Sequence, residues 1–224
     1  MPVKAKVAVP PEELQAKQQE LIDQAQKSES QGPDRAIEAW KKAVRADPDK
    51  RGPRREHARV LREAGRWNAL VEALKEEEAK ACPSDAEKAQ VLLEMVEIYR
   101  DHLKLEVMVT NTLKQVHRLL PNDQEVIDQL AQHYDATKKW PDLINILKHK
   151  ATLCSPDEQA ATYLRVAGLY VERFSNQAEA IKALEAVLAV DAQNPQAITQ
   201  LKEFYERRRD WESLISLSRN EIGQ

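Results

Sequence analysis

Glycine is scarce in this chain of 224 residues: there are five, none in the spacing of a phosphate-cradling loop, so neither G-x-G-x-x-G nor a P-loop is present. Two cysteines, Cys82 and Cys154, are too few for a disulfide framework, and no C-x2-C pair offers a zinc knuckle. The histidines at 57, 102, 117, 133 and 149 never stand four apart with an acid between them, which removes the helical zinc-hydrolase motif. Runs of alternating β-branched residues are missing, so essentially no sheet is expected. No apolar stretch approaches the ~20 residues that span a bilayer. The opening MPVKAKVAVPPEE is too short and too broken by lysine for a signal-peptide core, so a cytoplasmic location without a membrane partner is the expectation. A net charge of −3 argues against generic attraction to nucleic acid, which rests on phosphate neutralisation. Ser28, Ser30, Ser84, Ser155 and Ser175 stand where turns and helix caps are expected, a placement that needs no nucleophile. The chain is therefore expected to be no enzyme, with no catalytic residue, cofactor or metal ligand.

What is present in quantity is Ala, Leu, Glu, Lys, Gln and Arg, the strong helix formers, with most of the eleven prolines falling between apolar-periodic segments. The composition predicts an all-α protein. Its clearest stretch is Ala161 to Asn194, two amphipathic helices around a polar turn. Leu164, Ala167, Gly168 and Val171 mark one helix face, and Ala180, Leu184 and Val187 the other, at 3–4-residue spacing. Gly168 and Ala180 are expected where the two helices approach closely. Similar pieces tile the rest: about 11–48, 51–82, 84–121 and 122–155 before this hairpin, and one more after it. In DRAIEAWKKAVRADP, Ala36, Trp40, Ala43 and Pro48 stand at A-x3-aromatic-x2-A-x4-P.

These features resemble the tetratricopeptide repeat, with Trp40 where a phenylalanine is usual. The match is strongest around 36–48 and 161–192 and covers nearly the whole chain. The resemblance implies an α-solenoid of about six antiparallel hairpins, a single domain over residues 11–224 behind a mobile tail of residues 1–10. One hairpin cannot bury its apolar face alone, so neighbours must stack.

A longer period lies over the first. Trp67, Trp140 and Trp211, in GRW, KKW and RDW, are 73 and 71 residues apart, and Cys82 and Cys154 are 72 apart. Tyr134 and Tyr205 precede their tryptophans by six residues, whereas Leu61 holds that place in the first copy. A repeating unit of two hairpins follows. These three tryptophans are expected to be buried wedges between hairpins, with roughly 3–5 kcal/mol lost on truncation, and Trp40 is expected to be a packing residue of the repeat. The last helix keeps Leu214, Ile215, Leu217 and Ile222, an apolar face open to further chain or to self-association.

Charge is uneven. Lys41 to Arg66 holds ten Lys/Arg against four acids, +6, leaving −9 for the remainder. Arg51, Arg55, Arg59, Arg62 and Arg66 share one helix face. In the family this chain resembles, the first helix of each hairpin lines a concave groove where peptides dock. By register, the groove set would be Arg55, Arg59 and Arg62, then Glu94, Ile98 and Asp101, then Glu125, Asp128, Gln132 and Asp135. The carboxylate-clamp pattern of some members is not reproduced, because Met95 and Glu125 stand at matching places. The expected function is a non-catalytic scaffold or adaptor holding a partner protein's segment, acidic or phosphorylated opposite the arginines. Reversing Arg55, Arg59 and Arg62 would then abolish binding and leave the melting temperature unchanged. The alternatives are an RNA-binding helical repeat using 51–66, a regulatory or assembly domain of a larger machine, and arginines that merely balance nearby acids.

Overall fold

The computed structural model describes residues 11–222, so the expected tail of residues 1–10 lies outside it. The described residues form twelve α-helices: α1 (Pro11–Glu29), α2 (Pro33–Ala46), α3 (Arg51–Glu63), α4 (Trp67–Ala81), α5 (Asp85–Glu97), α6 (Glu106–Leu119), α7 (Gln124–Ala136), α8 (Trp140–Ala151), α9 (Pro156–Phe174), α10 (Gln177–Val190), α11 (Pro195–Arg208) and α12 (Trp211–Ile222). They divide into two compact units, one ending at Leu120 and the other beginning at Pro121, with three hairpins in each. Within each unit every helix packs on its neighbours in sequence, which is how an array of hairpins buries faces that no single hairpin could.

The starts of the helices follow from local chemistry. Ser84 and Glu87 close a reciprocal capping box on α5, and Asp123, Asn176 and Asn194 each accept a backbone N–H at the head of α7, α10 and α11. Proline opens α2, α9 and α11, where its missing N–H costs nothing. The cores repeat the 3–4 spacing: Trp40, Ala43, Leu61, Leu70 and Leu74 are buried in the first unit, and Ile127, Leu130, Leu143, Leu184 and Leu201 in the second.

The turns explain the two-hairpin period. In GRW, KKW and RDW the first residue, Gly65, Lys138 or Arg209, takes a left-handed backbone at φ +64°, +57° and +57°. The second residue is the N-cap or its neighbour and the tryptophan opens the next helix. A backbone bond spanning five residues closes each turn: Arg66 to Leu61 (2.9 Å), Lys139 to Tyr134 (2.8 Å) and Asp210 to Tyr205 (2.9 Å). The third and fifth hairpins turn more widely. Leu105 bonds back to Tyr99 and Asn176 to Tyr170, both at 2.9 Å across six residues, with Lys104 and Ser175 left-handed. Before Lys104, Ile98–Leu103 is wound as a π-helix continuing α5. Narrow and wide turns therefore alternate from the second hairpin onward.

Several packing expectations need correction. Trp40 is buried, at 2% exposure, and its indole N–H donates to Glu29 Oε1 at 2.8 Å. Trp67 and Trp140 are only half-buried. Trp67 lies flat on His102, centroids 3.5 Å apart, and the Arg173 guanidinium sits 4.6 Å over the Trp140 ring. Trp211 is 56% exposed, and Ile215 on the same helix 51%. A residue in the first turn of a second helix points its ring along the hairpin edge, where the next hairpin's turn meets it, and not into the core. Ala180 is fully buried, whereas a Cβ built on Gly168 would meet nothing within 4 Å, so Gly168 marks no close approach. Ile98 is also buried, at 3%, and faces the core.

Candidate partner-binding face

Helix α3 has few large hydrophobes, so its apolar face is built from Ala58, Val60 and Leu61 together with the stem of Arg54. The remaining circumference carries guanidinium groups. Arg51 donates through Nε to Glu77 at 3.0 Å and through Nη1 to Glu87 at 2.8 Å. Arg55 reaches Glu77 at 2.8 Å and Glu94 at 2.7 Å. Arg62 also pairs with Glu94. Arg59 gathers three carboxylates, Glu29 at 2.7 Å, Glu56 at 2.8 Å and Glu63 at 2.9 Å. Arg66 pairs with Asp34 at 3.2 Å.

The stripe is thus one side of an ionic seam that joins α1, α3, α4 and α5 within the first unit. Its electrostatics follow from this geometry. Burial works against the Arg55 charge, and the Glu94 hydrogen bond with the charges of Glu77 and Glu94 outweighs it, so the guanidinium is held further toward its charged form. Hydrogen bonds to Glu29, Glu56 and Glu63 do the same for Arg59. Hydrogen bonds from Arg59 and then Trp40 hold the Glu29 carboxyl below its ordinary range.

Three acids of the seam, Glu29, Glu77 and Glu87, were not among the expected site residues. Glu77 had a legible signal. It follows Leu70 and Leu74 at core spacing, so an acid stands where a hydrophobe is due, and it is 1% exposed. Such a carboxylate needs a cation, and α3 supplies two. Reversing Arg55, Arg59 and Arg62 to acids would leave Glu29, Glu77 and Glu94 facing like charges, so an unchanged melting temperature is no longer expected.

The structure brings Arg55, Arg59, Arg62 and Glu94 together and leaves the arginine side chains 36%, 39% and 47% exposed. Asp101, in the π-helical segment, is exposed and pairs with Arg100 at 3.2 Å. On α7 in the second unit, Glu125 and Gln132 are exposed. Their neighbours are engaged, Asp128 with Lys150 at 2.5 Å and Asp135 with Arg165 at 2.7 Å. Cys82 is buried and Cys154 half-buried, and both are free thiols. Burial pushes the Cys82 thiol up, away from the reactive thiolate. Among the described residues no group of three or more His, Cys, Asp or Glu is placed to hold a metal, and no helix is long and apolar enough to cross a membrane.

No family model matches the chain, and no curated protein matches it. Solved structures that it is similar to are tetratricopeptide-repeat proteins and MamA. A tetratricopeptide repeat protein from Parabacteroides merdae is 13% identical, over 89% of this chain and 77% of that one, with a TM-score of 0.44. YrrB, described as a TPR protein with an unusual peptide-binding site, is 12% identical over 80% and 89%, with a TM-score of 0.42. MamA from Desulfovibrio magneticus RS-1 is 15% identical over 80% and 97%, with a TM-score of 0.41. The serial hairpins with Ala36, Trp40 and Ala43 buried in the second helix of the first one decide the class.

The fold is an all-α array of serial hairpins that resembles the tetratricopeptide repeat.

In this tetratricopeptide-like array, α3, α5 and α7 are first helices of their hairpins, and α4, α8 and α12, each opened by a tryptophan, are second helices.

Proposed function

We propose that this tetratricopeptide-like chain is a non-catalytic scaffold that holds an acidic or phosphorylated segment of a partner protein along α3 of the first unit. Arg59 carries the reading. Of its three carboxylates, Glu56 and Glu63 come from its own helix and are 44% and 63% exposed, whereas Glu29 comes from α1. Exposed i,i+3 and i,i+4 pairs contribute little, about 0.3–0.5 kcal/mol, so an incoming carboxylate or phosphate can replace them without disturbing the seam beneath. Arg55, Arg62, Glu94 and Asp101 flank this position and form the proposed face. Buried Ile98 is left out of it. Glu125, Asp128, Gln132 and Asp135 on α7 make a separate acidic face, proposed to take basic residues.

The test is a panel of acidic and phosphoserine peptides titrated against the wild-type chain and Arg59→Gln. This single change spares Glu77 and Glu94. Binding weakened about tenfold in the variant, with little change in melting temperature, supports the proposal. Equal binding by both proteins, or no peptide bound below about 1 mM, overturns it. RNA binding along α3 gains less from the geometry, because only Arg59 has two exposed partners on its own helix that a phosphate could replace, and a nucleic-acid site rests on several phosphate contacts. A regulatory or assembly role in a larger machine is a special case of the scaffold.

A further inference from the structure

A cavity of about 290 Å³ lies in the first unit among α2, α3 and α4, away from the arginine seam. Its apolar wall is Ile37, Val44, Leu61, Ala69 and Ala73, and Arg54 lines it from α3. Arg54 is 4% exposed. Its Nε–H donates to the Pro48 carbonyl at 2.7 Å, and Nη1 stands 3.6 Å from Glu76, beyond hydrogen-bonding reach. The terminal guanidinium nitrogens therefore face the cavity with Glu76 as an ion-pair partner and no hydrogen bond, which leaves their N–H donors free for a ligand. His57 lies beside it. Burial, followed by the charge of Lys41, pushes this imidazole down to about 4, so it is neutral near pH 7. Lys41 and Arg45 on α2 add positive charge. Lys41 has only a 3.9 Å approach to Glu38. The opposing acids are on α4: Glu72 is engaged by Lys75 at 2.7 Å, and Glu76 also meets Lys80 at 3.9 Å.

The second unit carries a ring and a carboxylate of its own at the equivalent place, beside a wider cavity of about 450 Å³. That cavity, among α10, α11 and α12, is lined by residues 144 positions further on: Glu185 for Lys41, Leu188 for Val44, Tyr205 for Leu61 and Leu217 for Ala73. There the Tyr205 hydroxyl donates to Glu185 at 2.9 Å, so ring and carboxylate arrive together from the chain itself. In the first unit the ring is replaced by Leu61 and the carboxylate by Lys41. What is missing is an aromatic or branched apolar body bearing an anion.

We propose that the α2–α3–α4 cavity binds a small free carboxylate with an apolar body, the carboxylate on the Arg54 guanidinium and the body against Leu61, Val44 and Ala73. The planar fork of the guanidinium matches a carboxylate through two parallel donors. His57 offers a third donor, and Lys41 with Arg45 guards the mouth. The site is separate from the α3 face and stands whether or not that face binds peptides.

The probe is phenylacetate, titrated into the 15N-labelled full chain and followed by amide shifts, with phenylacetamide as its uncharged counterpart. Saturable shifts confined to α2–α4 are expected, with phenylacetamide weaker by about tenfold or more. Leu61→Tyr puts a ring where the apolar body of the ligand would lie and should weaken phenylacetate while keeping the fold. Arg54→Gln should weaken phenylacetate and leave phenylacetamide unaffected. No saturable shift at about 10 mM, equal binding of the amide, or undiminished binding by Leu61→Tyr would each overturn the proposal.

Discussion

Lowering the pH should weaken the first unit through His57. Its imidazole titrates near 6.5 in the unfolded chain and near 4 in the folded one, chiefly because burial penalises the charged form. The folded pKa of a base is thus depressed. Between about pH 6.5 and 4 the unfolded chain binds the extra proton, so stability is fully present above this window and falls as the pH drops through it. From pH 7.5 to 5.0 the two values give a loss of about 2 kcal/mol, reduced to about 1 kcal/mol because the ring borders a solvent-accessible cavity. The Lys41 and Arg54 charges add to the loss, whereas Glu38 and Glu76 oppose it. The assay is urea unfolding of the wild type and His57→Gln across that range, in a buffer free of carboxylates. The chain has four other histidines, so the informative quantity is the difference in slope between the proteins. The variant should be flatter by about 1 kcal/mol. Parallel pH profiles would refute the argument and place His57 in ordinary solvent.

Two further outcomes are expected. The left-handed residues of the narrow turns should respond oppositely: Lys138→Gly and Arg209→Gly should each gain about 0.5–1 kcal/mol in chemical unfolding, and Gly65→Ala should lose about 1 kcal/mol. A loss in the first two would show that those side chains hold the turn. The four tryptophans should rank by burial: Trp40→Ala about 3–5 kcal/mol, Trp67→Ala and Trp140→Ala about 1–2, and Trp211→Ala under about 1, read by the same unfolding measurement. Equal costs for Trp40 and Trp211 would contradict the exposures.

The helices and their pairing were legible because their signals are local. Apolar residues recur along one helix, and turns and capping residues fall between them, as in Ser84 with Glu87 or Pro33 at the head of α2. The tryptophan spacing also reported a real unit, though for a different reason than burial: GRW, KKW and RDW encode a left-handed residue, a helix start and a ring at the hairpin edge. What the sequence concealed is held between helices. Arg51 and Arg55 meet Glu77, Glu87 and Glu94 at separations of 22 to 39 residues, so a stripe that reads as free charge is largely spent inside the first unit. Ile98 failed for a related reason. Its backbone N–H still bonds to the Glu94 carbonyl, so it continues the α5 register and stands on the buried face of Val91 and Met95, toward neighbouring helices that its own stretch of sequence does not show. The Leu61 exception in the tyrosine series was visible from the start, but only the two cavities show that the second unit brings a ring and a carboxylate where the first has Leu61 and Lys41.

The alternating turns also bear on how such a chain can lengthen or shorten. A joint closed across five residues and one closed across six are different connectors, and each second helix is shaped to the connector before it. Removing one hairpin of about thirty-four residues would join two connectors of the same kind and orphan a tryptophan from the residue that covers it. Excising from one left-handed narrow-turn residue to the next, 73 residues from Gly65 to Lys138 or 71 from Lys138 to Arg209, keeps the order of joints. The heritable module, and the sensible cassette for shortening or extending this protein by recombination, is the pair of hairpins.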